Sequence, residues 1–152
     1  MVDGFSIKMV REDRPPHMTP KSVAAVSLNG RRFLVVEDDA DIAFLVAKIV
    51  ARAGGEAVTA GTGQQGLDAI DEPWTAFVTD IMLPDMSGLV LMAKVHRLRR
   101  TLPILAMSAS FSESLSLQAS QCGADGFLPK PFSPALLLAH LGRVLNRPTC
   151  PT

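Results

Sequence analysis

The sequence predicts an α/β fold: a doubly wound parallel sheet of five strands with helices on both faces. Three observations carry that expectation. Strand-like and helix-like segments alternate five times along the chain, the pattern that builds parallel crossover units. The strand-like runs, such as Phe33-Leu34-Val35-Val36, are continuously apolar, as strands covered on both faces must be. Polar residues gather just after those runs, where open α/β sheets place their ligands.

Residues Met1 to Gly30 carry charges, Pro15-Pro16, Pro20 and no sustained periodicity, so they read as a flexible extension, although Val23-Ala24-Ala25-Val26 is a weak apolar patch that could dock on the domain or on a partner. The domain is expected over 31–147. Phe33 to Val36 forms the first strand and ends on Glu37-Asp38-Asp39. Asp39 suits a helix N-cap, and Ile42, Leu45, Val46, Ile49 and Val50 recur at helical spacing until Gly54-Gly55 stops the helix. Glu56 to Ala60 is a weaker strand, and Thr62-Gly63-Gln64-Gln65 matches a capping box ahead of a helix to about Ile70.

Phe77-Val78-Thr79-Asp80 is the third strand, a buried run that delivers a lone carboxylate to the sheet edge before the Pro84- and Gly88-bearing loop. Leu89, Met92, Ala93 and His96 are expected to share one face of the next helix, with His96 at its boundary and Lys94, Arg97 and Arg100 outward. Leu102 to Met107 is the fourth strand, closed by Ser108-Ala109-Ser110. Phe111 to Gln121 is Ser-rich and only modestly helical, which suggests a mobile element. Ala124 to Pro129 is a short fifth strand leading into Lys130-Pro131-Phe132. Ser133-Pro134 then caps a broadly apolar last helix through Leu145, and 148–152 is a tail.

Composition excludes several classes. Across 152 residues, 47% hydrophobic, fifteen basic residues balance fifteen acidic ones, so no net field attracts nucleic acid or an anionic membrane. No apolar run approaches the roughly 18 residues of a membrane span, and the amino end lacks a signal-peptide core, so the expected location is cytoplasmic. Cys122 and Cys150 lack framework spacing and read as free thiols, Cys122 as a small core residue. The Gly61, Gly63 and Gly66 spacing imitates a phosphate-binding glycine loop, but it follows the second strand, so turn and cap chemistry is the better account.

The chemistry gathers at one edge. Glu37 and Asp38 end strand one, Asp80 ends strand three, Ser108 ends strand four, and Lys130 follows strand five. The acidic residues after strand one repel each other, a cost that a divalent cation such as Mg²⁺ or Mn²⁺ would offset. Three carboxylates could hold that ion, Asp80 could attack phosphorus, and Lys130 with Ser108 could hold the remaining oxygens.

In these positions the chain closely resembles the receiver domain of two-component response regulators. The matching residues are Leu34-Val35-Val36-Glu37-Asp38, Asp80 with Leu83-Pro84 and Gly88, Leu102-Pro103-Ile104-Leu105 ahead of Ser108-Ala109, and Gly123-Ala124 to Phe127 with Lys130-Pro131-Phe132. The resemblance implies a flavodoxin-like sheet in order 2-1-3-4-5 and phosphoryl transfer from a histidine kinase or histidine phosphotransferase to Asp80. It implies Mg²⁺ held by Asp38, Asp80 and the backbone carbonyl of Met82, with Glu37 acting largely through water. Ser108 would move toward the phosphoryl group and Phe127 would rotate inward, remodelling a surface made by the fourth helix, fifth strand and fifth helix. That surface would meet a downstream protein target or a second copy.

Glu37 stands where a second Asp is common, and Phe127 cannot offer a phenolic hydrogen bond. The chain is expected to be a phosphoacceptor switch rather than an enzyme: a stand-alone regulator acting through protein contacts in a two-component or phosphorelay pathway, without direct nucleic-acid binding. The rival is a receiver cut from a longer regulator or hybrid kinase. An aspartate-nucleophile phosphohydrolase fits the residues less well, because its D-x-D imitation, Asp39-Ala40-Asp41, starts too late after strand one and leads to Ala43.

Overall fold

The computed structural model describes residues 26–147, so the expectations for 1–25 and 148–152, His17 and Cys150 included, lie outside the described residues. Strands β1 (Arg32–Val36), β2 (Glu56–Ala60), β3 (Ala76–Asp80), β4 (Ile104–Ser108) and β5 (Gly126–Pro129) alternate with helices α1 (Ala40–Arg52), α2 (Gly63–Asp68), α3 (Gly88–Leu98), α4 (Glu113–Gln121) and α5 (Pro134–Leu145). The sheet is parallel throughout, in the order β2-β1-β3-β4-β5.

The twofold period of the strands sorts side chains between two cores. On one face Phe33, Val35, Val78, Leu105, Met107 and Leu128 meet Val46, Ile49 and Val50 of α1 and Leu137, Leu141 and Val144 of α5. On the other, Leu34, Val36, Phe77, Ile104 and Ala106 meet Leu91, Met92 and Val95 of α3 and Ala119 of α4. Every residue of β3 and β4 is buried, which is why their sequences show no polar alternation.

The caps follow from local chemistry. Asp39 accepts the N–H groups of Asp41 and Ile42, and Ser133 accepts that of Leu136 with Pro134 in the first turn. The expected capping box closes one residue early: Thr62 Oγ1 accepts the Gln65 N–H at 3.1 Å, but Gln65 Oε1 takes the Gly61 N–H at 2.9 Å instead of that of Thr62.

Two expectations need correction. The flexible extension does not run to Gly30, because Leu28 is 1% exposed in the first core and its N–H donates to Ala53 O at 2.8 Å. Gly55 leaves room for it: a Cβ there would stand 3.0 Å from the Leu28 Cβ. Along α3 the buried stripe is Gly88, Leu91, Met92 and Val95, so Leu89 and Ala93 are only half-buried, while His96 is half-buried as a boundary residue should be. The rotation is set by Gly88, where a Cβ would stand 2.2 Å from the Asp80 carbonyl oxygen; that close seat turns the 88/91/92/95 row toward the sheet.

Candidate functional site

The same alternation that sorts the cores assembles the site. Glu37 continues the row of Phe33 and Val35, Asp80 that of Ala76 and Val78, and Lys130 that of Leu128, so all three belong to the α1–α5 side of the sheet. Their side chains meet there. Lys130 Nζ donates to Glu37 Oε1 at 2.6 Å and to Asp80 Oδ2 at 2.9 Å. Glu37 Oε2 accepts the Asp39 N–H at 3.1 Å, and Asp80 Oδ1 accepts the Met82 N–H at 3.2 Å.

Glu37 and Asp80 are buried, at 2% and 5% exposure, while Asp38 is open to solvent. Burial pushes the Glu37 carboxyl above the usual carboxylate range, and the Lys130 ammonium offsets only part of that. For Lys130, burial works against the charge, yet the contacts with Glu37 and Asp80 outweigh it and raise the ammonium's affinity for its proton. The repulsion expected among the acidic residues is therefore partly answered within the chain.

Oxygens of Glu37, Asp38 and Asp80 lie within 4.8 Å of one another. Three carboxylates against one ammonium leave two negative charges when all are ionised, and hard oxygen donors of that charge fit Mg²⁺ or Mn²⁺. Exposed Asp38 gives the ion an entrance. Met82 is 71% exposed, and it is its backbone N–H that touches the Asp80 carboxylate.

Ser108 makes its hydrogen bond with Ser110 rather than with Asp80. It is buried, but its hydroxyl accepts the Ser110 N–H at 3.0 Å, because Ser108 continues the row of Ile104 and Ala106 on the opposite face. Phe127 shares that face, edge-on to Phe111 with ring centroids 5.5 Å apart. By strand alternation Ser108 and Phe127 start on the α3–α4 face, with Ser108 at the same sheet edge as Asp80. Cys122 is half-buried against the second core, as a small apolar residue would be.

Two features escaped the sequence. Nothing local signals that Lys130 pairs with Glu37, 93 residues away; only the parity of the two strand ends relates them. Asp85, one residue after Pro84 in the loop, uses both oxygens on the N–H groups of Gly63 and Gln64, at 2.8 and 2.9 Å.

A five-stranded sheet in this order, with an acidic cluster and a lysine at the strand ends, defines the receiver class, and the comparisons agree. The chain belongs to the response regulator receiver domain family, which it matches over residues 33–142. It is 34% identical to the transcriptional regulatory protein GltR of Pseudomonas aeruginosa, over 80% of this chain and 52% of that protein. It is 33% identical to the phosphate regulon transcriptional regulatory protein PhoB of Klebsiella pneumoniae, over 77% and 52%. The chain thus spans about half the length of these curated relatives. Among solved structures it resembles the CheY-like receiver domain protein of Methanospirillum hungatei JF-1, with a TM-score of 0.73 and 32% identity over 76% of this chain and 94% of that one. Among the described residues, no helix is long and apolar enough to cross a membrane.

Proposed function

We propose that Asp80 accepts a phosphoryl group from a phosphohistidine donor and that its new charge changes the surface a protein partner reads. The observation that carries this reading is the bridge from Lys130 Nζ to both Glu37 and Asp80 beside three carboxylates gathered within 4.8 Å. In the transfer, a carboxylate oxygen of Asp80 forms the O–P bond while the N–P bond of the donor breaks, its electron pair returning to the imidazole nitrogen. Asp38, Asp80 and the Met82 carbonyl would hold Mg²⁺, with Glu37 acting through water; the bound ion would neutralise charge on the phosphoryl oxygens.

The chain's own groups do the rest. The Met82 N–H and Lys130 hold one oxygen each of the Asp80 carboxylate, fixing its plane. Lys130 already stands beside the acceptor, so a phosphoryl oxygen can take the place of a carboxylate as its partner without a long excursion. Ser108 must leave Ser110 to reach the new group, and its departure changes the face on which Phe127 and Phe111 pack.

A specific observation favours a second reading of the output. GltR and PhoB, described above, are each aligned over 52% of their length, which supports a receiver joined to an output unit as the alternative to a stand-alone switch. The phosphoacceptor role is common to both readings.

The test is incubation with acetyl phosphate and Mg²⁺ followed by intact mass measurement. One added phosphoryl group is expected on the wild type and none on Asp80→Asn or in EDTA. A wild type that stays unmodified with a competent donor overturns the reading.

A further inference from the structure

The glycine spacing of 61–66 and the carboxylate of Asp85 are left over by the mechanism, and the structure joins them. Both oxygens of Asp85 accept N–H groups of the first turn of α2, from Gly63 at 2.8 Å and Gln64 at 2.9 Å. Met86, the next residue, lies over Gly63: a Cβ there would stand 2.7 Å from Met86 Cγ. Three residues on, a Cβ at Gly66 would stand 2.7 Å from Cγ2 of Val36, a buried and rotamerically stiff side chain. Val36 immediately precedes Glu37. The glycines thus bring protein, not phosphate, close to the α2 backbone.

These contacts form a continuous path. It runs from the acidic end of β1 through Val36 and Gly66 into α2, then from Gly63 and Gln64 to Asp85 and back along the loop to Met82 and Asp80. The loop is pinned at its root as well, where the Gly88 N–H donates to Ile81 O at 2.7 Å, and a bridge pairs Met82 with Ser87. Its tip has the Asp85 contact with α2. That contact also holds the Asp85 carboxyl below the usual carboxylate range, through the two backbone N–H groups it accepts.

We infer that Asp85 is a positioning residue, clasping the β3–α3 loop to α2 so that the Met82 backbone and Asp80 keep a fixed relation to Glu37 and Asp38. The inference rests on the receiver reading, since it assigns the clasp to the cation those groups would hold. Mg²⁺ demands near-ideal octahedral geometry at short distances, whereas Ca²⁺ tolerates loose and irregular ligation. A clasp that fixes the loop therefore sets selectivity for the smaller ion as well as affinity. Groups that orient metal ligands directly change affinity about 10- to 100-fold, and Asp85 acts one step further out, so a change of about three- to tenfold is expected.

The experiment uses the unphosphorylated full chain, titrated calorimetrically with MgCl₂ and separately with CaCl₂, as wild type, Asp85→Asn and Asp85→Ala. Asp85 is exposed, so neither variant opens a cavity. Backbone hydrogen exchange at Gly63 and Gln64 is followed in parallel. Faster exchange at both amides is expected in Asp85→Ala, with Mg²⁺ affinity reduced about three- to tenfold, Ca²⁺ affinity reduced less, and Asp85→Asn intermediate because its one remaining oxygen still accepts an N–H. A structural role alone would lower the thermal midpoint and leave the Mg²⁺ to Ca²⁺ ratio of the folded protein unchanged. Unchanged exchange in Asp85→Ala overturns the clasp, and faster exchange with both affinities unchanged overturns its link to the cation. A wild type that takes up no Mg²⁺ overturns the receiver mechanism itself, and this assignment with it.

Discussion

Replacing Lys130 by Met isolates the balance of charge in the site. Its Nζ holds Glu37 and Asp80, and the side-chain exposures of the three groups are 10%, 1% and 8%, so little solvent screens what is lost. Removing one partner of a buried ion pair costs about 3–5 kcal/mol because the other charge is stranded. Methionine keeps most of the stem's volume, so the packing loss is small. With roughly 3 kcal/mol lost, the urea midpoint moves down by roughly 1–2 M.

The pH dependence supplies a sharper check. The Lys130 contact lowers the Glu37 carboxyl, so the variant's Glu37 is raised further above its unfolded value than the wild type's. A carboxyl raised in the folded state binds more protons there than when unfolded, so its contribution is present at low pH and is lost as pH rises through the folded value. The stability gap between Lys130→Met and wild type should therefore be narrower in a buffer of about pH 5 than at pH 7.5, because acid favours the protonated form of a carboxyl held above the usual carboxylate range. Mg²⁺ should narrow it too, because the variant's uncompensated carboxylates bind the ion more tightly. The assay is urea unfolding in EDTA and in Mg²⁺ at both pH values, followed by the fluorescence of the sole tryptophan, buried Trp74. A loss under about 1 kcal/mol in EDTA at pH 7.5, or a gap that widens on acidification, would refute the charge argument.

Three further outcomes follow from the same geometry. Met82→Asn places an amide two residues after Asp80, where it can orient water, so aspartyl phosphate should be lost roughly tenfold faster than in the parent; radiolabel decay at fixed Mg²⁺ checks this, and equal decay counts against it. Asp85 is depressed by backbone N–H groups, so its contribution is present above the unfolded carboxylate value and is lost as pH falls through about 4 toward the folded one. The Gly63 and Gln64 amide shifts should titrate at the lower end of that window in the wild type and stay flat in Asp85→Asn. Gly88→Ala drives a Cβ to 2.2 Å from the Asp80 carbonyl oxygen and 2.6 Å from the Ile81 Cα, backbone atoms that cannot rotate away. A loss of about 3 kcal/mol is expected despite the gain in helix propensity, read as a lower thermal midpoint.

Most of the fold was legible because its determinants are local. The strand runs are apolar enough to require cover on both faces, and Asp39, Thr62 and Ser133 announce helix starts by side-chain chemistry alone. The phase of α3 is not legible in the helix's own pattern, because it is fixed by Gly88 against the Asp80 carbonyl. The place of Leu28 is hidden for the same kind of reason: its seat beside Gly55 lies 27 positions on and depends on a missing side chain there. The charged residues of the site could be chosen from strand ends. Which of them touch could not, since that depends on parity across three strands: Glu37, Asp80 and Lys130 fall on one side, Ser108 on the other.

That division has a spatial consequence. A sheet one layer thick stands between the flank where charge is gathered and the flank where Phe127 and Phe111 pack. Substitutions that repack the Phe127 and Phe111 flank can therefore accumulate on one side while the charged groups on the other keep their arrangement.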